Sequence, residues 1–427
     1  MYIPILRAPL IIAMLAMLGT PVLAQSDSPT DEEMAQIVKN YADIGLAAFK
    51  DSADSAISLR TAVEDLLNNP SQDTLTAARD AWRAARIPFE QAEVLVLSAP
   101  GAAEWVDRVN AWPVKPSFID YADGQSVAPP DSIIGSTSIT IEGTQVDTSR
   151  ISPELISGTL QHAGGDPSNI ASGYHVIEFL LWGEDVSGAE EKDVDAGAGQ
   201  RPFTDFDLEN CTGGNCARRG EYLYGVVNLL IDDLNEMVGD WQVTGQARRS
   251  LIADPKTGVN RILQAMANLA YGDLAGTRLQ KALLLHDPSA EIDQFSNASH
   301  VSYLLNARGL AVVYFGEYFS LGNDLIKGTS IADVLERIDP GLDEAFRTSL
   351  GLAMARLRMV VDYARDEEAF DLMIARDNER GNGLLQAAIS SLIEQKDMIQ
   401  TLADRLGVGP LQVDISPALD NPGSVGR

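Results

Sequence analysis

Residues 30–44 read TDEEMAQIVKNYADI, and this stretch decides the class of fold. Thr30 and Glu33 have the types and spacing of a capping box, which satisfies backbone N–H groups at the start of a helix. Apolar residues then recur every three or four positions, the period of a helix with one buried face. The period returns through most of the chain, so the sequence predicts an all-α protein of long helices. The further segments with this period are 75–96, 222–238, 259–285, 301–319, 342–363 and 384–406.

Two segments interrupt the helical period. Residues 132–146 alternate Ile with Thr and Ser, which predicts a short β-hairpin in a connection between helices. Residues 184–217 are rich in Gly and lack periodicity, and a loop of this length is typical of a functional segment or a domain boundary. We therefore expect two helical-bundle domains. The predicted units are a signal peptide at 1–24, an N-terminal bundle at 30–183, the loop at 184–217, a C-terminal bundle at 218–406 and a flexible tail at 407–427.

The first 24 residues have the pattern of an export signal. Arg7 supplies a positive start, residues 10–18 are apolar, and Val22-Leu23-Ala24 ends in the small residue that signal peptidase requires. The apolar run is too short to span a bilayer of about 30 Å, and no later stretch approaches the roughly 20 apolar residues of a membrane helix. Position 25 is Gln, so the sequence shows no Cys for a lipid anchor there. We expect a soluble, exported mature chain without a transmembrane segment.

Export makes a disulfide the expected state of Cys211 and Cys216, the only two cysteines. They stand in CTGGNC, where two glycines allow the chain to close a tight ring. Metal binding by the two thiolates is the alternative, although neither the spacing nor a second Cys/His pair matches a zinc site. A bond across so short a loop would fix the loop rather than hold the fold together.

The charge of the chain excludes one class of partner. Its 427 residues include 32 Lys and Arg against 61 Asp and Glu, a formal net charge of −29, and no long basic cluster occurs. Nucleic-acid binders need a basic surface that displaces phosphate counterions. We therefore exclude nucleic acid as a partner. The many carboxylates permit cation binding but do not establish it.

The chemistry of the sequence concentrates in residues 172–182, SGYHVIEFLLW. Apolar residues cover all sides of this predicted helix, which is therefore expected to be buried. His175 and Glu178 lie three positions apart, on one face. A buried carboxylate requires a metal, another cation or several hydrogen-bond donors. These residues fit a satisfied polar network between two bundles as well as they fit a metal site.

Known motifs narrow the metal chemistry that this pair could support. The His-Glu-x-x-His motif of zincin peptidases is absent, and so is its inverted form. Di-iron bundles use Glu-x-x-His twice, whereas this chain has a single His-x-x-Glu in the reverse order. One His with several carboxylates is a mixed set that suits Fe, Mn or Zn. The remaining ligands would have to come from other helices.

His175 and Glu178 stand in Gly173-x-His-x-x-Glu, which resembles the signature of the imelysin family, also classed as M75 peptidases and described as iron-regulated proteins. The resemblance runs from about residue 30 to residue 405. Several ordered blocks agree with it: WRAARIPFEQAE at 82–93, VNAWP at 109–113, IDY at 119–121, GQRP at 199–202, FSNASH at 295–300 and NARG at 306–309.

The resemblance implies two helical domains with the His-x-x-Glu helix at a cleft between them. It also implies a protein of the periplasm or the outer-membrane surface that is linked to iron uptake. The expected cofactor is iron or another divalent metal, Zn or Mn, and an envelope iron-transport component is an expected partner. A metallopeptidase of the M75 type is the alternative. A hydrolase needs an activated water or a nucleophile with its base, and the sequence has no Gly-x-Ser-x-Gly motif that would supply such a nucleophile. A third hypothesis is a cell-envelope adaptor that binds a partner peptide and no metal.

Five residues of these blocks are further site candidates. Glu93 follows Arg86 by two helical turns, so the two can act as ligand and balancing cation, or as an internal ion pair. Asp120 is either an oxygen ligand or a helix cap. Arg308 can bind an anion or pair with one of these acids, and His300 can approach the site. The predicted metal ligands are therefore His175, Glu178, Glu93 and Asp120.

Overall fold

The structure is a computed structural model that describes residues 28–122, 124–185 and 198–425, and it is all-α, as the helical period predicts. The predicted signal peptide lies outside the described residues. The first α-helices are α1 (Asp31–Asn68), α2 (Gln72–Val96), α3 (Ala102–Val109), α4 (Pro116–Ile119), α5 (Pro153–Leu155) and α6 (Tyr174–Trp182). They are followed by α7 (Cys216–Trp241), α8 (Gln246–Ile252), α9 (Pro255–Ala267), α10 (Lys281–Leu285), α11 (Ser299–Phe315), α12 (Ile331–Ile338), α13 (Pro340–Asp366), α14 (Phe370–Met373), α15 (Glu379–Leu406) and α16 (Pro417–Asp420).

Helix α1 begins at the predicted capping box. The backbone N–H of Glu33 donates to Oγ1 of Thr30 at 3.1 Å, and the N–H of Thr30 donates to Oε2 of Glu33 at 2.7 Å. The apolar positions that follow are buried, so the face that the sequence predicts is the one that packs. These buried positions are Met34, Ile37, Val38, Tyr41 and Ile44.

One continuous apolar core extends through the described chain, from Met34 near the start of α1 to Val408 after α15. Helix α1 packs against α2, α7 and α9, and α2 packs against α11. Helices from both sides of the loop at 184–217 therefore share this core. The division into two bundles at that loop stays a prediction.

Helix α6 is buried along its whole length, in agreement with its apolar sequence. It begins after Gly173, whose φ is +88° and whose position leaves no room for a side chain. A Cβ atom at Gly173 would lie 2.5 Å from the carbonyl oxygen of Val109. The glycine of the Gly-x-His-x-x-Glu motif is thus required by backbone conformation and by close approach of the segment after α3.

The two segments that interrupt the helical period have different structures. The predicted hairpin forms from strands β1 (Ser138–Ile141) and β2 (Thr144–Asp147), which pair antiparallel with Ser138 opposite Asp147. In the loop at 184–217, residues 184–185 and 198–217 are described, and the predicted disulfide joins Cys211 to Cys216 at the start of α7. The disulfide prediction is therefore confirmed.

The helix predicted over 301–319 is shorter in the structure. It ends at Phe315, because Gly316 adopts a left-handed conformation with φ of +61° that terminates α11. A second hairpin follows, in which β3 (Glu317–Phe319) pairs antiparallel with β4 (Leu325–Lys327). The segment predicted as one helix over 259–285 contains a π-helix at Asn268–Gln280 between α9 and α10.

Residues 407–425, predicted as part of a flexible tail, lie against the π-helix at Asn268–Gln280. The side chain of Asn268 donates to Asp414 at 2.7 Å, and the hydroxyl of Tyr271 donates to Asp420 at 2.6 Å. Ala418 of α16 is buried. This part of the chain is therefore packed onto the bundle instead of extending into solvent.

The helices of the described residues do not have the properties of membrane spans. Each of them falls short of the length or the apolar character needed to cross a bilayer.

We expect Gly45→Ala to destabilise the protein because the ring of Trp241 lies directly over Gly45. A Cβ atom there would lie 2.7 Å from the ring, and overpacking of this kind costs about 1–3 kcal/mol. The matched control is Gly351→Ala in α13, where no atom lies within 4 Å and stability should rise by up to about 1 kcal/mol. Urea unfolding measures both. Equal stability changes in the two variants would contradict the packing seen at Trp241.

Candidate metal centre

Three segments far apart in the sequence meet around His175. Helix α6 carries His175 and Glu178, the turn that precedes α11 carries Asp293, and α2 contributes Arg86. The indole N–H of Trp82, also in α2, donates to the carbonyl of Tyr174 at 2.9 Å and so fixes α2 against α6. The predicted pair therefore lies where α2, α6 and the start of α11 are packed together.

The hydrogen bonds determine which nitrogen of His175 carries its proton. Arg86 donates from Nη1 to Oδ1 of Asn110 at 2.6 Å, and because a guanidinium group only donates, that amide atom must be the oxygen. Nε2 of His175 lies 3.0 Å from the same oxygen and must donate to it. In the neutral imidazole the lone pair is then on Nδ1.

Nδ1 of His175 faces two carboxylates. It lies 3.1 Å from Oε2 of Glu178 and 3.6 Å from Oδ1 of Asp293. One ligand atom from each of these three residues lies within 4.8 Å of the other two. None of the three side chains is more than 1% exposed. They form a compact group of one nitrogen and two oxygen atoms with the chemistry of metal ligands.

Each carboxylate of this group is positioned by neighbouring hydrogen bonds. Oε1 of Glu178 accepts from the backbone N–H of Ser296 at 2.7 Å and from its hydroxyl at 2.8 Å. Asp293 accepts from Arg86 at 3.0 Å and from the hydroxyl of Ser302. Oε2 of Glu178 therefore faces Nδ1 of His175 without one of these donors, whereas Oδ1 of Asp293 faces Nδ1 while it accepts from Arg86.

Burial changes the protonation of the pair. It raises the pKa of Glu178 well above its ordinary value, and the nearby charge of Asp293 raises it further. Burial also lowers the pKa of His175 well below its ordinary value, with Arg86 and Arg278 acting in the same direction. Both shifts favour the uncharged forms, a neutral imidazole on His175 and a protonated carboxyl group on Glu178.

Arg86 lies at the centre of this polar network, where it pairs with Asp293 and forms a short ion pair with Glu90. These are the internal ion pairs that the sequence offered as the alternative, and the role of Arg86 as the balancing cation of a metal site stays a prediction. Glu93 lies two turns after Arg86 on α2 and pairs with Arg278, while Asn306 donates to it at 2.8 Å. The structure therefore does not bring Glu93 into the group of three ligand atoms.

Asp120 belongs to a different buried cluster. It accepts from Arg201 at 2.8 Å and from Arg219 at 2.6 and 3.0 Å, and Arg201 also pairs with Asp205. Burial alone would raise the pKa of Asp120, but the two guanidinium groups outweigh it and the pKa lies below its ordinary value. The prediction of Asp120 as a metal ligand is corrected: it is one partner of a structural ion pair.

The two remaining candidates occupy different environments. Arg308 is exposed on α11, so its predicted pairing with Glu93 or Asp120 inside the cleft is wrong. His300 is partly buried, stacks on Phe370 with ring centroids 6.3 Å apart, and has a pKa lowered by burial to about 4. It borders a cavity of about 570 Å³ that Arg86, Ser296 and Ser302 also line, so His300 approaches the site without contacting its ligand atoms.

Sequence reasoning missed the third carboxylate of the group. Asp293 lies in a turn outside any helical period, so no spacing relates it to His175. Its position just before the FSNASH block at 295–300 was the available signal, because that block supplies the Ser296 donors and leads into α11. Asn110, the hydrogen-bond partner of His175, lies inside the VNAWP block at 109–113, so that block was a second signal of the same kind.

The fold and the site define an all-helical protein with a buried His-carboxylate centre. The chain belongs to the imelysin family, whose model, that of the M75 peptidases, matches residues 45–399. A crystal structure described as an iron-regulated protein A precursor from Parabacteroides distasonis aligns with a TM-score of 0.62 at 18% sequence identity, over 89% of this chain and 96% of that one. Comparison with curated protein sequences finds no match. The family and the all-α fold expected from the sequence are thereby confirmed.

Asp120→Asn tests the structural assignment of that residue. The amide cannot balance Arg201 and Arg219, and loss of one partner of a buried ion pair costs about 3–5 kcal/mol. We expect urea unfolding to show a loss of this size. Asp54→Asn, at an exposed position of α1, should change stability by less than about 0.5 kcal/mol. A fully stable Asp120→Asn protein would contradict the assignment.

Proposed function

We propose that this protein binds iron or a related divalent metal through His175, Glu178 and Asp293, and that it serves iron uptake or homeostasis. The observation that carries the proposal is the lone pair on Nδ1 of His175, which faces two carboxylate oxygens. Three acceptors directed at one point repel one another unless a proton or a cation lies between them. The donation from Nε2 of the same ring to Asn110 is the outer contact that a metal-bound imidazole usually makes.

The two separations measured from Nδ1 of His175 fit ligands of one ion. Ligand atoms about 2.0–2.2 Å from a common metal are roughly 3.0–3.5 Å apart at angles between octahedral and tetrahedral. The observed separations from Nδ1 are 3.1 and 3.6 Å. One imidazole with two carboxylates suits Fe, Mn and Zn better than Ca²⁺ or Mg²⁺, which prefer oxygen ligands alone.

The charge of the network also supports a cation. Four buried carboxylates, those of Glu90, Glu93, Glu178 and Asp293, lie in this network with two guanidinium groups, and all except Glu178 pair with Arg86 or Arg278. With all four acids ionised, two negative charges would have no cation. Burial raises the pKa of Glu90 to about 8, as it also raises the pKa of Glu178. Protons therefore neutralise part of the excess negative charge in the metal-free protein. A divalent ion would take their place.

Burial of the three ligands favours metal binding or transfer over peptide cleavage. With at most 1% of each side chain exposed, a polypeptide substrate cannot reach a water molecule held there unless the surrounding helices move. The metallopeptidase alternative rests on the M75 peptidase name of the family. A cell-envelope adaptor without metal is the third alternative, and it leaves the surplus of buried carboxylates to be neutralised by protons alone.

The cellular role is part of the same proposal. Residues 1–24 have the pattern of a signal peptide, so we propose that the chain is exported and acts in the periplasm, where an envelope iron-transport component would be its partner. The similarity in fold to a protein described as an iron-regulated precursor supports iron as the metal and export as the route.

We expect His175→Ala and Glu178→Gln to weaken binding of Fe²⁺, Mn²⁺ or Zn²⁺ far more than tenfold. Loss of an outer hydrogen-bond partner alone typically costs 10–100-fold in metal affinity, and these substitutions remove ligands. Isothermal titration calorimetry measures the affinity. The control is His162→Ala, since His162 pairs with Asp107 away from the site. If affinity and stoichiometry are the same in all proteins, His175 and Glu178 are not the ligands.

Metal affinity should rise with pH. Because burial raises the pKa of Glu178, an incoming ion must displace its proton at any pH below that raised pKa. Above its lowered pKa, His175 has no proton to lose from Nδ1, so it adds no further pH dependence to that of Glu178. Calorimetry at pH 6 and pH 8, in buffers with different ionisation enthalpies, counts the protons released. An affinity that is independent of pH over this range would contradict the protonated state of Glu178.

A further inference from the structure

A second, acidic cavity lies beside the candidate metal centre. Its volume is about 440 Å³, and we call it the acidic cavity. Four carboxylate residues and one histidine line it, and none of the described residues that line it is Lys or Arg. The lining residues that carry the argument are Glu184, Asp185, His286, Glu291 and Asp371.

Glu291 is the most informative of these residues. It is only 2% exposed, yet its Oε2 atom has no hydrogen-bond partner. Removing a carboxylate oxygen from water without a donor is costly, so this atom calls for a cation or a proton. Oδ1 of Asp371, which also lines the cavity, likewise has no hydrogen-bond partner. Burial, followed by the charge of Asp185, raises the pKa of Asp371.

His286 supplies a nitrogen ligand of fixed orientation. Its Nδ1 lies 2.7 Å from the carbonyl oxygen of Ile374 and must donate to it, because a carbonyl only accepts. In the neutral ring the lone pair is therefore on Nε2, and a backbone carbonyl that holds the other ring nitrogen is the usual support of a metal-binding histidine.

The acidic cavity and the candidate metal centre share one turn of the chain. Glu291 and Phe295 line the cavity, whereas Asp293 and Ser296 of the same turn face His175 and Glu178. The two sites therefore have separate ligands. Among the described residues, only the group around His175 brings three ligand atoms within 4.8 Å of one another. A cation in the wider acidic cavity would keep part of its water shell, as hard divalent ions do when one or two carboxylates hold them.

We propose that the acidic cavity is a second, weaker cation site, in which Glu291, Asp371 and His286 hold a partly hydrated divalent ion, with at least one of the three bound through a water molecule of its shell. The proposal does not depend on metal binding at His175. Its ligand set of mainly carboxylate oxygens favours Mn²⁺ or another hard divalent ion.

Titration of the metal-free full-length protein with Mn²⁺ tests the proposal, with free Mn²⁺ followed by electron paramagnetic resonance. Wild type should show a tight and a weak class of site. Glu291→Gln/Asp371→Asn should lose at least tenfold in the weak class and keep the tight one. His175→Ala/Glu178→Gln should show the reverse. The matched control is Asp377→Asn, which removes the same charge at an exposed position nearby and should keep both classes.

The two proposals fail in different ways. A weak class that is absent from wild type, or unchanged in Glu291→Gln/Asp371→Asn, would overturn the second site and leave the first intact. A single class that only Glu291→Gln/Asp371→Asn removes would support the acidic cavity and overturn the centre at His175. Thermal unfolding shows whether the double variant is folded. If it is not, Asp371→Asn alone serves, because that residue is only partly buried, and it should still weaken the second class.

Discussion

The structure depends on one electrostatic constraint, the burial of more carboxylates than cations around His175. Arg86 and Arg278 each pair with a carboxylate of α2, and Arg86 also pairs with Asp293 of the turn before α11. Asn306 of α11 donates to two acids of α2. The charges therefore lock α2, α6, α11 and the π-helix at Asn268–Gln280 into one arrangement, because an acid that lost its partner inside the core would cost several kcal/mol.

A comparison of two buried clusters shows why the surplus matters. Around Asp120, two carboxylates meet two guanidinium groups, Arg201 and Arg219, so charge is balanced and the cluster has a structural role without any ligand. Around His175 the carboxylates outnumber the guanidinium groups, and the remaining charge must be neutralised by protons or by a bound ion. Buried acids and arginines thus stabilise the fold around Asp120 and form a candidate metal site around His175. The ratio of carboxylates to guanidinium groups distinguishes the two clusters.

Features that depend on apolar spacing within one segment could be predicted from the sequence, whereas features that depend on contacts between distant segments could not. The helices, the buried character of α6 and the pair His175 and Glu178 follow from apolar spacing within single segments. Asp293 could not be found in this way, because it lies in a turn more than 100 residues away and joins the pair only when α11 packs against α2. The assignment of Asp120 failed for the same reason: its partners, Arg201 and Arg219, are distant in sequence, and no local pattern relates them to it.

The assembly of the centre from distant segments links its formation to folding. Nδ1 of His175 and the oxygen of Asp293 come together only after the two parts of the chain have docked, so the unfolded chain holds no such centre. Any ion that binds there adds its binding free energy to the stability of the folded state alone. The metal ions present in the compartment where the chain folds would therefore determine which ion is bound. Metal selection would thus depend on the site of folding as well as on the chemistry of the ligands.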